Sequence, residues 1–189
     1  MPAASGDVAV VRTKGWGAFL IRLGARLRRQ PHTQNHVVIV VDNLRTTVEA
    51  WPGGVRKGSL DDYDARFTST NFAQPKTAEQ RQAVVDVATS LLSYGYNWAA
   101  IARDTANVFD LDRKSRQWAT SDEPTSFVCS SLADYIYFKV GLPCPNEGEE
   151  TTPADWAAFI LRSGWNKVVI PPQDPRTAIP GVMSPEPKG

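Results

Sequence analysis

Apolar positions recur along the chain with two periods, and together they predict short strands interleaved with amphipathic helices. Residues 7–12 (DVAVVR) follow the turn Ser5-Gly6 and read as a short strand. Residues 36–41 (HVVIVV) are apolar almost throughout, the pattern of a strand covered on both faces. Thr46–Trp51 (TTVEAW) is a second strand, ended by Pro52-Gly53-Gly54. Asp42 and Asn43 both tolerate positive φ and suit a two-residue hairpin turn between these strands. Further strands are expected within residues 66–72 and 167–170.

Helical spacing appears four times. Residues 16–28 place Phe19, Leu20, Leu23 and Leu27 on one face. Residues 77–94 begin with a Thr77/Gln80 capping box, carry Val84, Val87, Ala88, Leu91 and Leu92, and are closed by Gly95. A third helix follows Ser126, read as its N-cap, with Leu132, Ala133, Ile136, Tyr137 and Val140 at helical spacing and Gly141 as its stop. The fourth starts at Thr152-Pro153-Ala154-Asp155, with proline in the first turn, and runs to about Ser163. Residues 99–125 are irregular and polar and read as an insertion or lid. No internal repeat is visible.

The chain has 189 residues and 42% hydrophobic composition, enough for one domain with a real core, placed at residues 1–170. The proline-rich segment 171–189 has no periodic pattern and reads as an extended tail that packs on the body or binds an assembly partner. A formal net charge of +1 gives no global case for nucleic acid. Arg12, Lys14, Arg22, Arg26, Arg28 and Arg29 form an acid-free stretch, read as a solvated helix face rather than a patch for an anionic surface. No apolar run approaches the ~20 residues of a membrane span. The start MPAASGDVAV lacks the charged leader and apolar core of a secretory signal, so the expected location is cytoplasmic, or a virion if the protein is phage-encoded.

Two cysteines, Cys129 and Cys144, cannot make a disulfide framework, and a reduced thiol at a helix start is the more coherent reading. Cys129 falls three residues before Leu132, in the first turn of its helix and on the edge of the buried face. There the unpaired N–H groups favour thiolate over thiol, and the thiolate is the nucleophile. A free cysteine is also commonly just a small buried hydrophobe. His36 opens the most apolar strand. With Asp42-Asn43 as the central turn residues, counting outward sets His36 opposite Glu49, close enough to orient the ring toward Cys129. The alternative is a solvated cross-strand pair, and Asn35 and Asp42 are the fallback orienters. His32 and His36 have the spacing of a helical zinc pair, but Pro31 and a polar loop separate them from any helix, so no metal or cofactor is expected. No Gly-x-Ser-x-Gly occurs.

These segments resemble a known family. Gly6-Asp7-Val8, the His36-Val37-Val38-Ile39-Val40 strand, Val48-Glu49-Ala50 with Gly54-Val55, Tyr94-Gly95-Tyr96-Asn97-Trp98, Phe127-Val128-Cys129-Ser130-Ser131-Leu132 and Thr152-Pro153-Ala154-Asp155 are similar to the circularly permuted branch of the NlpC-type papain-like hydrolases, close to the YiiX-like group. The likeness covers about residues 6 to 160. The permuted order is histidine, polar residue, cysteine, as in His36, Glu49 and Cys129. Val128 stands where the non-permuted enzymes often carry aspartate. The resemblance implies an α+β papain-like fold with the cysteine helix packed on an antiparallel sheet. It further implies a cysteine peptidase or amidase acting on peptidoglycan peptide, with Tyr96 and the backbone N–H of Cys129 at the oxyanion; as a packed aromatic at a helix end, Tyr96 has an equally ordinary reading. Lipid acyl hydrolases and acyltransferases like lecithin:retinol acyltransferase share that fold. A structural virion or tail component that keeps the fold is the alternative from another class.

Overall fold

A computed structural model describes residues 4–13, 34–43, 45–63, 69–70, 76–97, 126–145 and 151–163. The expected helix at 16–28, the segment 99–125, the strand at 167–170 and the tail 171–189 lie outside the described residues, as does His32.

The protein is mixed α+β. Five strands, β1 (Val8–Val11), β2 (His36–Val40), β3 (Thr46–Trp51), β4 (Gly54–Ser59) and β5 (Ser69–Thr70), form one antiparallel sheet in the order β4-β3-β2-β1-β5. Every side chain of β1 and β2 is buried, as their continuous apolar runs require. On one face Val8, Val10, Val37, Ile39 and Val48 join the larger core, which includes residues of helices α1 (Ala78–Ser90), α2 (Cys129–Lys139) and α3 (Pro153–Arg162). The other face carries Ala9, Val11, Val38 and Val40 against Leu60, with Tyr63 packed beside them. Among the described residues no helix is long and apolar enough to cross a membrane.

The helices start where local chemistry places them. Thr77 and Gln80 form the reciprocal capping box of α1, and Thr152 and Asp155 form that of α3, with proline in its first turn. The α2 helix ends in two bonds, from the Leu142 N–H to the Tyr137 carbonyl and from the Gly141 N–H to the Phe138 carbonyl, with Gly141 at φ 69°. Two boundaries differ from expectation. The α1 helix ends at Ser90, because Ser93 turns to φ 77°, and Gly95 belongs to a short strand instead. Ser126 does not cap α2; it lies in a short strand over Ser126–Phe127, and the N-cap is Val128, whose N–H is received by the Ser131 hydroxyl.

The β2–β3 register also departs from expectation. Ile39 pairs with Val48 and Val40 with Thr47, and the Val41 N–H bonds the Thr46 carbonyl, so four residues rather than two separate the paired ends. The Asp42 carboxylate accepts the Thr46 N–H, and Arg45 takes φ 70°, which stabilises the longer turn. This register sets His36 opposite Trp51 and makes Glu49 its diagonal neighbour. The shift of two residues preserves the face, whereas a shift of one would not.

Strand β4 is not expected from the sequence, in which Pro52-Gly53-Gly54 only ends β3. Pro52-Gly53 is instead a tight hairpin, with Trp51 paired to Gly54 and both glycines at positive φ. A Cβ on Gly54 would lie 2.7 Å from the Tyr94 carbonyl oxygen. A second, parallel pair joins β6 (Gly95–Tyr96) to β7 (Ser126–Phe127), with Tyr96 beside Phe127.

Candidate active site

Cys129 is the first residue of α2, and its buried thiol meets two strands. Strands β2 and β3 pair through Ile39 and Val40. One rung further, Val37 faces Ala50, but the Val37 N–H hydrogen-bonds the Cys129 sulfur, as does the Ser130 N–H at the helix start. Beyond the last paired residues of the β2–β3 ladder, the β2 strand therefore serves the thiol instead. The His36 side chain hydrogen-bonds the same sulfur.

On its far side His36 is fixed by Glu49. Nε2 lies 2.6 Å from Glu49 Oε2, with both side chains buried. Glu49 is fully enclosed and has further donors. The Tyr63 hydroxyl donates to Oε2, and Arg56 approaches Oε1 through Nε at 3.2 Å and Nη2 at 3.1 Å. Arg56 sits directly across the β3–β4 ladder from Glu49. Gly58 leaves the space the carboxylate fills, since a Cβ there would lie 2.4 Å from Glu49 Oε1. Trp51 stacks edge-on to the imidazole at 5.3 Å between centroids, and Tyr63 lies tilted to it at 5.9 Å.

Burial penalises charge on all three groups, and the contacts overcome it. For Cys129 burial pushes the thiol up, but the His36 charge and hydrogen bond, with the two N–H groups, bring it below its ordinary value. Burial alone would lower His36, yet the charge and hydrogen bond of Cys129, followed by those of Glu49, raise it from 6.5 to about 9. Burial likewise opposes ionisation of Glu49, but His36, Tyr63 and Arg56 hold its carboxyl below the usual range. Thiolate and imidazolium thus stabilise each other between a carboxylate and a helix N-terminus. In the imidazolium both ring nitrogens are donors, Nε2 to Glu49 and the other to sulfur.

Tyr96 is half-buried beside the cysteine. Its pairing with Phe127, two residues before Cys129, brings it there, and burial followed by the Cys129 charge raises its hydroxyl above the ordinary value. A neutral phenol, a donor, is the form this setting favours.

The fallback orienters are engaged elsewhere. Asn35 bonds the Thr13 N–H and hydroxyl, both at 2.8 Å, and Asp42 caps the β2–β3 turn. Cys144 forms no disulfide and is buried in the main core. No group of three or more His, Cys, Asp or Glu side chains among the described residues is placed to hold a metal ion. Arg56, Tyr63, Trp51 and the Val37 N–H were missed from the sequence; the Glu49–Arg56 ladder pair was the available signal, and it required recognising β4. Arg12, Trp51, Arg56, Asp62 and Tyr63 help line a cavity of about 490 Å³ beside this cluster.

No family model matches the chain, and no curated protein matches it.

Proposed function

We propose that the protein is a cysteine hydrolase that cleaves an amide or peptide bond by acyl transfer to water, with Cys129 as nucleophile, His36 as acid and base, and Glu49 as orienter. The observation that carries this reading is the unbroken relay from Glu49 through His36 to a thiol at a helix N-terminus, buried along its length. A structural cysteine needs no imidazole, and a structural histidine needs no thiol. Their pairing with a buried carboxylate is the arrangement that activates a nucleophile.

In the proposed reaction the Cys129 thiolate attacks the carbonyl carbon. Tyr96 and the Cys129 N–H receive the developing oxyanion, an interaction worth ~3 kcal/mol per donor in comparable sites. The His36 imidazolium gives its proton to the departing nitrogen, which leaves as an amine, and a thioester remains. Neutral His36 then takes a proton from water, the hydroxide adds to the thioester carbon, and the acid departs as the thiolate re-forms.

The permuted order of His36, Glu49 and Cys129, with the cysteine helix on an antiparallel sheet, supports a papain-like fold of the permuted NlpC type and, with it, peptidoglycan peptide as substrate. The test is mass spectrometry of purified peptidoglycan fragments incubated with the protein. Paired products carrying one new amine and one new carboxylate, absent with Cys129→Ala, are the expected result. Intact fragments with the wild-type protein would overturn the cell-wall assignment. A Cys129 no more reactive than Cys144 toward iodoacetamide would overturn the cysteine mechanism itself.

A further inference from the structure

Arg56 makes two contacts that bear on the relay without touching Cys129 or a reacting atom. Its guanidinium reaches Glu49 Oε1, and the same group lies 4.5 Å from the centre of the Trp51 ring, which stacks edge-on to His36. The guanidinium thus contacts both the carboxylate and the aromatic that frame the imidazole, while the side chain is half exposed on the edge strand β4. A carboxylate shared between two cations divides its charge between them.

We propose that Arg56 is a positioning residue that shares the charge of Glu49 with His36, so that the imidazole keeps Cys129 ionised yet still releases its proton to a leaving group. This rests on the cysteine-hydrolase reading above. Without the guanidinium, deprotonating His36 would leave a fully buried carboxylate with two neutral donors, the Tyr63 hydroxyl and the His36 Nε2–H, and no cation, and a buried charge without a counter-charge is strongly disfavoured. His36 would then hold its proton to higher pH. Loss of Glu49 acts in the opposite direction, and the opposed signs distinguish charge sharing from packing.

The charged and titratable groups that contact this imidazole, surround its partners or line the adjacent cavity come from several elements. They are Cys129 from α2 with Tyr96 beside it, Glu49 from β3, Arg56 from β4, Tyr63 and Asp62 after the short 3-10 turn at Leu60–Asp62, and Arg12 across the cavity. Arg56→Gln changes the charge of one of these groups, at a half-exposed site on an edge strand.

The experiment is proton NMR titration of the His36 ring C–H between pH 5 and 10.5 in a His32→Gln background, where a single histidine is observed. It compares the wild-type residue with Arg56→Gln, Arg56→Lys and Glu49→Gln. The expected result is a midpoint raised by about one pH unit in Arg56→Gln, most of it reversed in Arg56→Lys, and a lowered midpoint in Glu49→Gln. Circular dichroism of each variant establishes that the fold is kept; should Arg56→Gln unfold, Arg56→Met read in the same titration replaces it. An unchanged or lowered midpoint in folded Arg56→Gln, with the parent near pH 9, would overturn the role of Arg56 alone. A parent midpoint near the ordinary 6.5 would overturn the thiolate–imidazolium reading on which it depends.

Discussion

Replacing Glu49 with glutamine removes one buried charge at nearly constant volume, and its effect can be worked from the site. Burial alone would make His36 lose its proton early, yet it holds the proton to about pH 9 instead of 6.5. At roughly 1.4 kcal/mol per pH unit, this preference is about 3 kcal/mol. Cys129 is its first source and Glu49 its second. A neighbouring carboxylate that shifts a histidine by about one pH unit makes the thiolate–imidazolium form about tenfold more abundant relative to the neutral thiol–imidazole form, and its loss reverses that factor. The assay is the rate of iodoacetamide alkylation of Cys129 at pH 6, read by peptide mass spectrometry with Cys144 in the same digest. Glu49→Gln should slow Cys129 by up to about tenfold, the limit reached when the ion pair is the minor form, and His36→Ala should slow it further. Stability should change little, by about 1 kcal/mol, because the amide oxygen can still accept from His36 and Tyr63 while half-exposed Arg56 turns to water. An unchanged rate in folded Glu49→Gln would refute the reasoning. So would a larger loss in Asn35→Ala or Asp42→Asn, whose side chains serve Thr13 and Thr46.

Three further outcomes follow from single contacts. In the wild-type protein Cys129 should alkylate much faster than Cys144 at pH 6, since Cys144 is buried in the core away from the relay, and equal labelling would count against an activated thiol. Gly58→Ala should displace Glu49 from its seat, slowing Cys129 alkylation while the circular dichroism spectrum is retained; full reactivity would mean the carboxylate can move and still hold His36. Tyr137→Phe should lower the unfolding free energy in urea by about 1–3 kcal/mol. Its buried hydroxyl accepts the Val8 N–H and donates to the Gly6 carbonyl, both at 3.0 Å, and a loss below about 0.5 kcal/mol would show that another group replaces it.

How far the fold is readable from sequence depends on the range of the forces that set each part. The Thr77/Gln80 box and the Thr152-Pro153 start are decided within four residues, and those helices begin where expected. The all-apolar β2 run needs cover on both faces, and it has it. Strand β4 escapes recognition because its outer half is Arg56-Lys57-Gly58-Ser59, the composition of a loop, and an edge strand with one wet face needs no apolar alternation there. The β2–β3 register turns on the Asp42 side chain and on Arg45 at positive φ, neither of which residue type alone dictates. For the site, residue types and strand parity suffice to bring out Cys129, His36 and Glu49. Arg56 and Tyr63 require the missed strand and the turn after it.

The sheet's most informative departure from regularity lies at His36 and Val37. An uninterrupted β2–β3 ladder would join Val37 to Ala50 and close the space between the strands. Here that rung is absent and the Val37 N–H serves the Cys129 sulfur instead. The exchange accounts for the geometry of the relay. His36 and Glu49 lie on the face of the smaller cluster, whereas α2 packs on the face of the larger one. A helix on one face can meet an imidazole on the other only where the β2–β3 ladder ends. The thiol at the first position of α2 reaches that point, whereas the residues one turn later, Leu132 and Ala133, are buried in the larger core. The backbone therefore gives up a sheet hydrogen bond worth about 1 kcal/mol and gains one to a thiolate, which is stronger because its acceptor is charged. The end of the β2–β3 ladder and the first-turn position of Cys129 act together, and an ionised sulfur with a protonated His36 stabilises that arrangement. Because the folded-state value of His36 lies above 6.5, its stabilising contribution is complete below about pH 6.5 and is lost as pH rises through about 9. The depressed value of Cys129 works in the reverse sense, its contribution present above the ordinary thiol range and lost as pH falls through its folded value. That arrangement is held best between those two limits, where the proposed nucleophile is also ready.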